Sequence, residues 1–304
     1  MTYDVVIIGG SYAGLSAGLQ LARARRRILV IDAGQPRNRF AEHSHGFLTQ
    51  DGVPPNEIAA DGRGQIMEYP TVEWRTGKVD AVTGEAEDFT VAFTEVVGRR
   101  EYARARRIIL AAGVTDELPN LPGLAKQWGK RVFHCPYCHG YELGREGIGV
   151  LASSEMAMHH ALMLPDWGET TLFVNDAFEP NVEQLAQLEA RGTRVVRGLV
   201  ERLADQGAFA EGVALVMGDG RVFPLAGLFV APRIHPSSLV QTIGCELEET
   251  PMGNVVRTGA MKETSVPGVF ACGDVARAAG SVAFAVGDGA MAGLSVHRTL
   301  MFGL

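Results

Sequence analysis

Read by its apolar and polar positions, the chain opens on an uninterrupted apolar run, Val5 to Ile8, that meets glycines at 9 and 10. Small and apolar residues then recur at helical spacing from about Ala13 to Arg25, and a second apolar run, Ile28 to Ile31, ends in Asp32. Continuous apolar runs suit strands covered on both faces, so this stretch predicts a strand, helix, strand unit with parallel strands. Further on, "VEWRTGKVDAVTGEAEDFTVAFT" alternates apolar and polar residues between turn glycines, which predicts an antiparallel meander. Another buried strand, Ile108 to Ala111, stops at Gly113.

The proline- and glycine-rich "DELPNLPGLAKQWG" then reads as a crossing between domains. Beyond it, "GIGVLASSEMAMHHALML" repeats the strand, turn, helix rhythm, and "GETTLFVND", "RGTRVV" and "GVALVMGDGRVFPLAGLFVAP" supply strands and a hairpin. The chain changes character again at "GCELEETPMGNVV". "VPGVFACGDV" is an apolar strand ending in Gly273 and Asp274, and "VAFAVGDGAMAGLSVHRTL", from Val282, is a helix rich in small residues. Two glycine or small-residue turns after strands make a weak internal repeat, as expected of a chain with two dinucleotide units.

The first turn has the parts of a dinucleotide site. Gly9, Gly10 and Gly14 permit a tight turn and close packing of helix on strand, and the helix start offers backbone N–H groups to a pyrophosphate. Asp32, eighteen residues after Gly14, stands where a carboxylate accepts hydrogen bonds from a ribose. Ser11 occupies the position where the usual pattern has its middle glycine, so the pyrophosphate must accommodate or bond a hydroxymethyl group.

Charge and composition narrow the function classes. A formal charge of -7 gives no electrostatic reason to expect nucleic acid or an anionic membrane as a partner. The arginine clusters at 23–27 and 104–107 read as solvated helix ends and loops. No apolar run reaches the ~20 residues of a membrane span, and the N-terminus shows no basic region or cleavage site, so a cytoplasmic protein is expected. In that compartment the four cysteines are not expected to serve as structural disulfides.

Two of them, Cys135 and Cys138, lie in "FHCPYCHGYE". That spacing serves redox dithiols, zinc sites and covalent haem. Zinc needs four ligands, and beyond His134 and His139 no second pair lies at finger spacing; haem attachment belongs outside the cytoplasm. A dithiol at a helix start has its thiol pKa lowered by the helix dipole. Cys272 reads as a buried small hydrophobe, and Cys245 carries no assigned role.

Taken in order, the N-terminal fingerprint, the strand ending "ILAAG", the CxxC, "TSVPGVFACGDV" and the closing small-residue helix resemble the thioredoxin reductase family of flavoproteins. "CPYCHGYE" is most similar to the branch that includes dithiol oxidases of gliotoxin- and holomycin-type products. The resemblance implies an α/β fold of two Rossmann-like, three-layer ββα domains, the second inserted into the first: 1–115 with 246–304 for FAD, and 116–245 carrying the CxxC. It implies FAD held by Gly9, Ser11, Gly14, Asp32, His45, Gly113, Gly273, Asp274 on the ribityl chain, and the helix from Val282 over the flavin ring. Cys138 would face the flavin and Cys135 the substrate sulfur. His139 stands where the family usually has an acid, and its ordinary pKa near ~6.5 suits a proton shuttle at neutral pH.

The departures bear on the electron partner. Ala152 and Ser154 replace the first two glycines of the second turn, and Asp176 and Glu179 stand where a 2′-phosphate would want basic groups. NADPH is therefore not expected to bind well. A small dithiol or disulfide, or a thioredoxin-like protein, is the expected substrate, with oxygen or ferredoxin as the other electron partner and a homodimer as the assembly. An NADPH-dependent thioredoxin reductase and a redox-sensing flavoprotein without turnover are the alternatives.

Overall fold

The computed structural model describes residues 2–205 and 212–303. The chain first lays down β1 (Thr2–Ile8), α1 (Tyr12–Arg23), β2 (Ile28–Asp32), α2 (Pro55–Met67), β3 (Val72–Thr83), β4 (Phe89–Glu95), β5 (Arg100–Leu110) and β6 (Val114–Glu117). The middle stretch holds α3 (Leu124–Gln127), β7 (Val132–Phe133), α4 (Pro136–His139), β8 (Ile148–Leu151), α5 (Ala157–Met163), β9 (Thr170–Phe173), α6 (Val182–Ala190), β10 (Arg194–Val196), β11 (Val200–Asp205), β12 (Val213–Met217), β13 (Val222–Leu225) and β14 (Gly227–Val230). It ends with β15 (Arg233–Pro236), α7 (Ser238–Ile243), β16 (Leu247–Thr250), β17 (Gly253–Val256), β18 (Val269–Ala271) and α8 (Val282–Phe302). Two compact units result. One comprises Met1–Arg39, Phe47–Thr115 and Ile234–Leu304; the other comprises Phe40–Gly46 and Asp116–Arg233.

In the first unit β2, β1, β5 and β18 run parallel, with Val5 beside Ile28 and Ile109 beside Phe270. The start of β3 continues this parallel layer beside β2, but from Gly77 onward β3 turns to pair antiparallel with β4, which pairs in turn with the start of β5. These two long strands carry the chain from the parallel sheet into the meander. Each face of the parallel sheet has its own core. Val5, Ile7, Leu21, Val30 and Ile109 pack with α1 and α8, whereas Val6, Ile8, Leu29, Phe89, Val91 and Leu110 pack with the meander. The burial of alternate residues on both sides explains why β1 reads as an unbroken apolar run.

The small residues of α1 and α8 have a packing purpose. A Cβ on Gly289 would lie 2.1 Å from the Ala13 carbonyl oxygen, and one on Gly293 would lie 2.7 Å from that of Ala17. The two helix backbones therefore touch, and a larger side chain at either glycine would part them.

The arginines at 104–107 are in β5, not in solvated loops. Arg104 is exposed, but Arg107 keeps only 1% of its surface accessible. Its guanidinium donates to Glu87, to the Thr299 hydroxyl at 3.2 Å and to the Thr299 carbonyl at 3.3 Å, pinning the end of α8 to the sheet. Arg107→Ala is expected to destabilise by about 2–3 kcal/mol, because it leaves a cavity between sheet and helix and removes the bonds to Glu87 and Thr299, acceptors that solvent can still reach. Urea unfolding of wild type and variant measures the difference.

α2 is an element the apolar pattern does not announce. Only Ile58 and Ile66 supply a buried stripe beyond Pro55, and Gly62 and Gly64 dilute the helix signal.

The second unit repeats the architecture. β10, β9, β8, β14 and β7 form an all-parallel sheet in that order. α5 and α6 cover one face through Ile148, Val150, Ala161, Leu188 and Phe229, and the antiparallel β11, β12 and β13 cover the other through Leu203, Leu215 and Met217. Both units are thus three-layer α/β folds, as the sequence predicts. Among the described residues no helix is long and apolar enough to cross a membrane.

Candidate active site

The CxxC stands at the start of α4, immediately after β7 (Val132–Phe133). Cys135 is the N-cap in extended conformation, and Pro136 takes the first helical position, where its missing N–H costs nothing. The amide of Cys138 donates to the Cys135 carbonyl at 3.2 Å. One turn of helix brings the two Cα atoms to 5.3 Å, and the sulfurs are joined as a disulfide. Both cysteines are partly accessible, and Tyr137 between them is 73% exposed.

Aromatic rings fix this short helix. The His139 ring stacks on Phe133 with centroids 4.4 Å apart, and Phe133 packs on Phe229. Tyr137 meets the Trp167 ring edge-on at 5.2 Å, and Gly140 lies so close to Trp167 that a Cβ would sit 2.7 Å from the indole. His160, from α5, holds the backbone just ahead of Cys135: its Nε2 donates to the His134 carbonyl at 2.9 Å. Its Nδ1 is buried without a partner. His45 belongs to the same unit and its Nδ1 lies 3.4 Å from Glu142.

Here the structure departs from the expectation that His139 titrates near its ordinary value. Burial, and then the neighbouring His45, push its pKa down to about 4; burial likewise pushes His160 down to about 4. Both imidazoles are neutral at pH 7 in the disulfide state. In the unfolded chain they take up protons near pH ~6.5, so the unfolded state binds more protons between pH 6.5 and 4. Stability from these two groups is therefore complete above about pH 6.5 and is lost as pH falls toward 4, each adding a slope of at most about 1.4 kcal/mol per pH unit. Thermal melts of the oxidised protein between pH 7.5 and 5 should show this decline, and it should be shallower in His139→Asn/His160→Gln.

The other two cysteines are remote from such chemistry. Cys272 is fully buried and its thiol is pushed up to about 12, by burial first and then by Asp288. The Cys245 thiol is raised by burial and donates to the Thr264 hydroxyl. Among the described residues no group of three or more His, Cys, Asp or Glu is placed to hold a metal ion.

In the first unit the turn after β1 forms a cradle lined by backbone. Gly9 has φ +106°, and a Cβ there would lie 2.3 Å from the Ala111 carbonyl oxygen; one on Gly14 would lie 1.9 Å from the Gly9 carbonyl oxygen. Ser11, the N-cap of α1, makes no side-chain capping bond, so the first amides of α1 are left for an outside acceptor. The Gly10 amide donates to Asp32 at 3.1 Å. Gly113 has φ +64° with open space where a Cβ would point, and Gly273 has φ +74° against Ala13. Asp274 is held by Arg37 at 2.9 Å, and Val282 opens α8 behind its N-cap Ser281. Glycines that only a bare backbone can fill, an uncapped helix start and a carboxylate at the end of β2 fit a dinucleotide such as FAD.

The corresponding turn of the second unit differs: it carries side chains where the first has glycines, and Ser153, Ser154 and Glu155 on it are exposed. α5 begins only at Ala157, and Ser154 accepts a hydrogen bond from the Met156 amide within the turn. Asn175, with φ +54°, donates to the Ala152 carbonyl at 3.4 Å and accepts from the Val200 amide at 2.8 Å, tying three strand ends together. Glu179 is bonded to Arg197, so the nearest guanidinium is already paired. Sequence reading identified the replaced glycines but not Asn175, Arg37, Trp167 or His160. Each acts through a long-range contact that carries no periodic signal.

A parallel-sheet unit with an open glycine cradle, and a second with a disulfide at a helix start, define a disulfide oxidoreductase of the dinucleotide-fold type. Residues 3–289 match the model of the pyridine nucleotide-disulphide oxidoreductase family, and the chain belongs to that family. It is 32% identical to thioredoxin reductase sirT of Leptosphaeria maculans, over 97% of this chain and 93% of that one. It is similar in structure to an oxidoreductase from Agrobacterium tumefaciens, with TM-score 0.94 and 54% identity over all of both chains. It is similar too to HlmI, with TM-score 0.89 and 36% identity over 99% of this chain and 93% of that one. The protein is a thioredoxin reductase-like enzyme of disulfide exchange.

Proposed function

We propose that the chain is an FAD-dependent thiol–disulfide oxidoreductase working through Cys135 and Cys138 without a nicotinamide. The observation that carries this is the disulfide at the start of α4 in a unit whose own nucleotide turn carries Ala152 and Ser154 in place of glycines. On this reading the unit of residues 1–39, 47–115 and 234–304 holds the flavin, and that of 40–46 and 116–233 presents the dithiol; the sequence boundary at 245 moves to 233 because Leu239, Val240 and Cys245 pack in the first unit's core. Gly9, Ser11, Gly14 and Asp32 bind the dinucleotide, with Gly113, Gly273, Asp274 and Val282 along its flavin half. His45, grouped with the CxxC unit, is kept as a flavin or substrate contact. When bound, FAD supplies a two-electron carrier.

The chemistry of the chain's own residues follows from their places. In the oxidising direction a substrate thiolate attacks the Cys135 sulfur, the Cys135–Cys138 bond breaks, and Cys138 leaves as thiolate. The second substrate thiolate then attacks its own mixed-disulfide sulfur and releases Cys135. Two substrate thiols have lost two electrons and two protons, and the enzyme disulfide has become a dithiol. His139, neutral in the disulfide state, acquires a thiolate neighbour when the bond opens, and that charge favours the imidazolium. The imidazole thus holds a proton while the dithiol persists and gives it up when the disulfide re-forms.

Small dithiols and disulfides, or a thioredoxin-like protein, are the substrates on this reading, with oxygen or ferredoxin completing the electron path in the cytoplasm. Phe284, Met291, Leu294 and Met301 are exposed along one side of α8 and support pairing with a second copy. The name thioredoxin reductase, carried by several relatives, favours a second reading in which NADPH is the donor. Steady-state oxidation of a small dithiol under air, with no nicotinamide added, tests the choice. Turnover supports the proposal; turnover only when NADPH accompanies a disulfide substrate sinks it.

A further inference from the structure

The second unit has a pocket of about 350 Å³ lined by Arg145, Asp166, Trp167, Glu169 and Arg191 among others. Its Trp167 wall is the same indole that meets Tyr137 edge-on and packs on Gly140, so only one ring separates the pocket from the CxxC helix. The loop on its rim is built against preference. Gly144 and Arg145 are both left-handed, with φ +68° and +66°, and the second has a side chain that disfavours it. Gly168 packs on this backbone, where a Cβ would lie 2.8 Å from the Glu146 carbonyl oxygen. Strain at a non-glycine residue persists where the surroundings enforce it, and here the result is a guanidinium on the pocket rim.

The charges on this rim divide into two pairs. Arg191 is committed, donating to Asp166 at 2.7 Å and to the Leu162 carbonyl at 2.9 Å. The side chains of Arg145 and Glu169 make no hydrogen bond or ion pair among the described residues. A pocket with one free cation and one free anion gains little from a simple anion or cation, since the opposite rim group repels it. A ligand carrying both charges satisfies both groups, and the volume is that of a small-molecule site.

We infer that this pocket is a substrate subsite for the free α-amino-acid group of a small thiol or disulfide. Arg145 takes its carboxylate, Glu169 takes its ammonium, and the linker crosses Trp167 and Tyr137 toward Cys135. The inference rests on the thiol–disulfide reading above and adds the chemical class of the molecule that brings the sulfur. Thiols without charged ends still react at the disulfide but gain nothing from the pocket.

Calorimetric binding of S-methylglutathione to the flavin-loaded protein tests this, because the probe keeps a γ-glutamyl α-amino-acid end and carries no thiol. The wild type should bind it, Arg145→Ala and Glu169→Gln should each weaken it about tenfold, and Arg145→Lys should recover part of the loss. The N-acetylated probe should bind the wild type as weakly as the unmodified probe binds Glu169→Gln. Flavin content and thermal melting of each variant establish that it is folded. No binding to the wild type, equal binding to the folded variants, or equal binding of the acetylated probe would each overturn the subsite. Because no turnover is measured, failure here alongside intact dithiol oxidation removes the subsite alone; absence of dithiol oxidation alongside intact binding removes the thiol–disulfide reading.

Discussion

Cys138→Ser should lower dithiol turnover by at least about 10³-fold while leaving flavin content unchanged. Thiol–disulfide exchange needs an enzyme S–S bond for the substrate thiolate to break, and with serine at 138 Cys135 stays a free thiol that offers no such bond. Nothing else in the chain stands in. Cys272 is fully buried with its thiol pushed up to about 12, and Cys245 is buried and bonded to Thr264. Full turnover in the variant would remove the CxxC from the mechanism altogether. The measurement is oxygen uptake or loss of free thiol with a small dithiol.

The second large effect is expected at the glycine cradle. Gly14→Val places a branched side chain where even a Cβ would lie 1.9 Å from the Gly9 carbonyl oxygen, so either α1 or the turn must shift. Both form the surface a pyrophosphate would use. Flavin affinity, followed by fluorescence of released FAD, should fall by at least about 100-fold. Gly64→Ala is the control, since a Cβ there meets nothing within 4 Å in α2. It should leave flavin binding intact and stabilise the protein by about 0.5–1 kcal/mol through helix propensity.

The sequence made much of this legible because buried parallel strands and glycine turns leave local signatures. β1, α1 and β2 appear as apolar run, small-residue helix and apolar run, and the meander appears as alternation in β3 and β4. α2 did not show, since two buried isoleucines among polar residues and glycines make too thin a stripe. Arg107 was misread for a different reason: a guanidinium in a strand counts as polar in any pattern, and its burial depends on Glu87 and Thr299, which lie 20 and 192 residues away. The chemistry of His139 had the same limitation. The residue type announces a group titrating near neutrality, but the stacked Phe133 and nearby His45 that depress it are visible only in three dimensions. The second turn is legible in Ala152 and Ser154, whereas the part of Asn175, which ties the neighbouring strand ends through Ala152 and Val200, rests on contacts visible only in three dimensions.

The central proposal is that electrons pass between a substrate's sulfurs and a flavin through Cys135 and Cys138, with no nicotinamide taking part. Anaerobic stopped-flow absorbance of the flavin, after mixing with NADPH in one run and a small dithiol in another, tests it most directly. The account predicts that the dithiol bleaches the flavin at the rate of turnover and that NADPH does so at least about 10³-fold more slowly. Rapid bleaching by NADPH, with none by the dithiol, would contradict it.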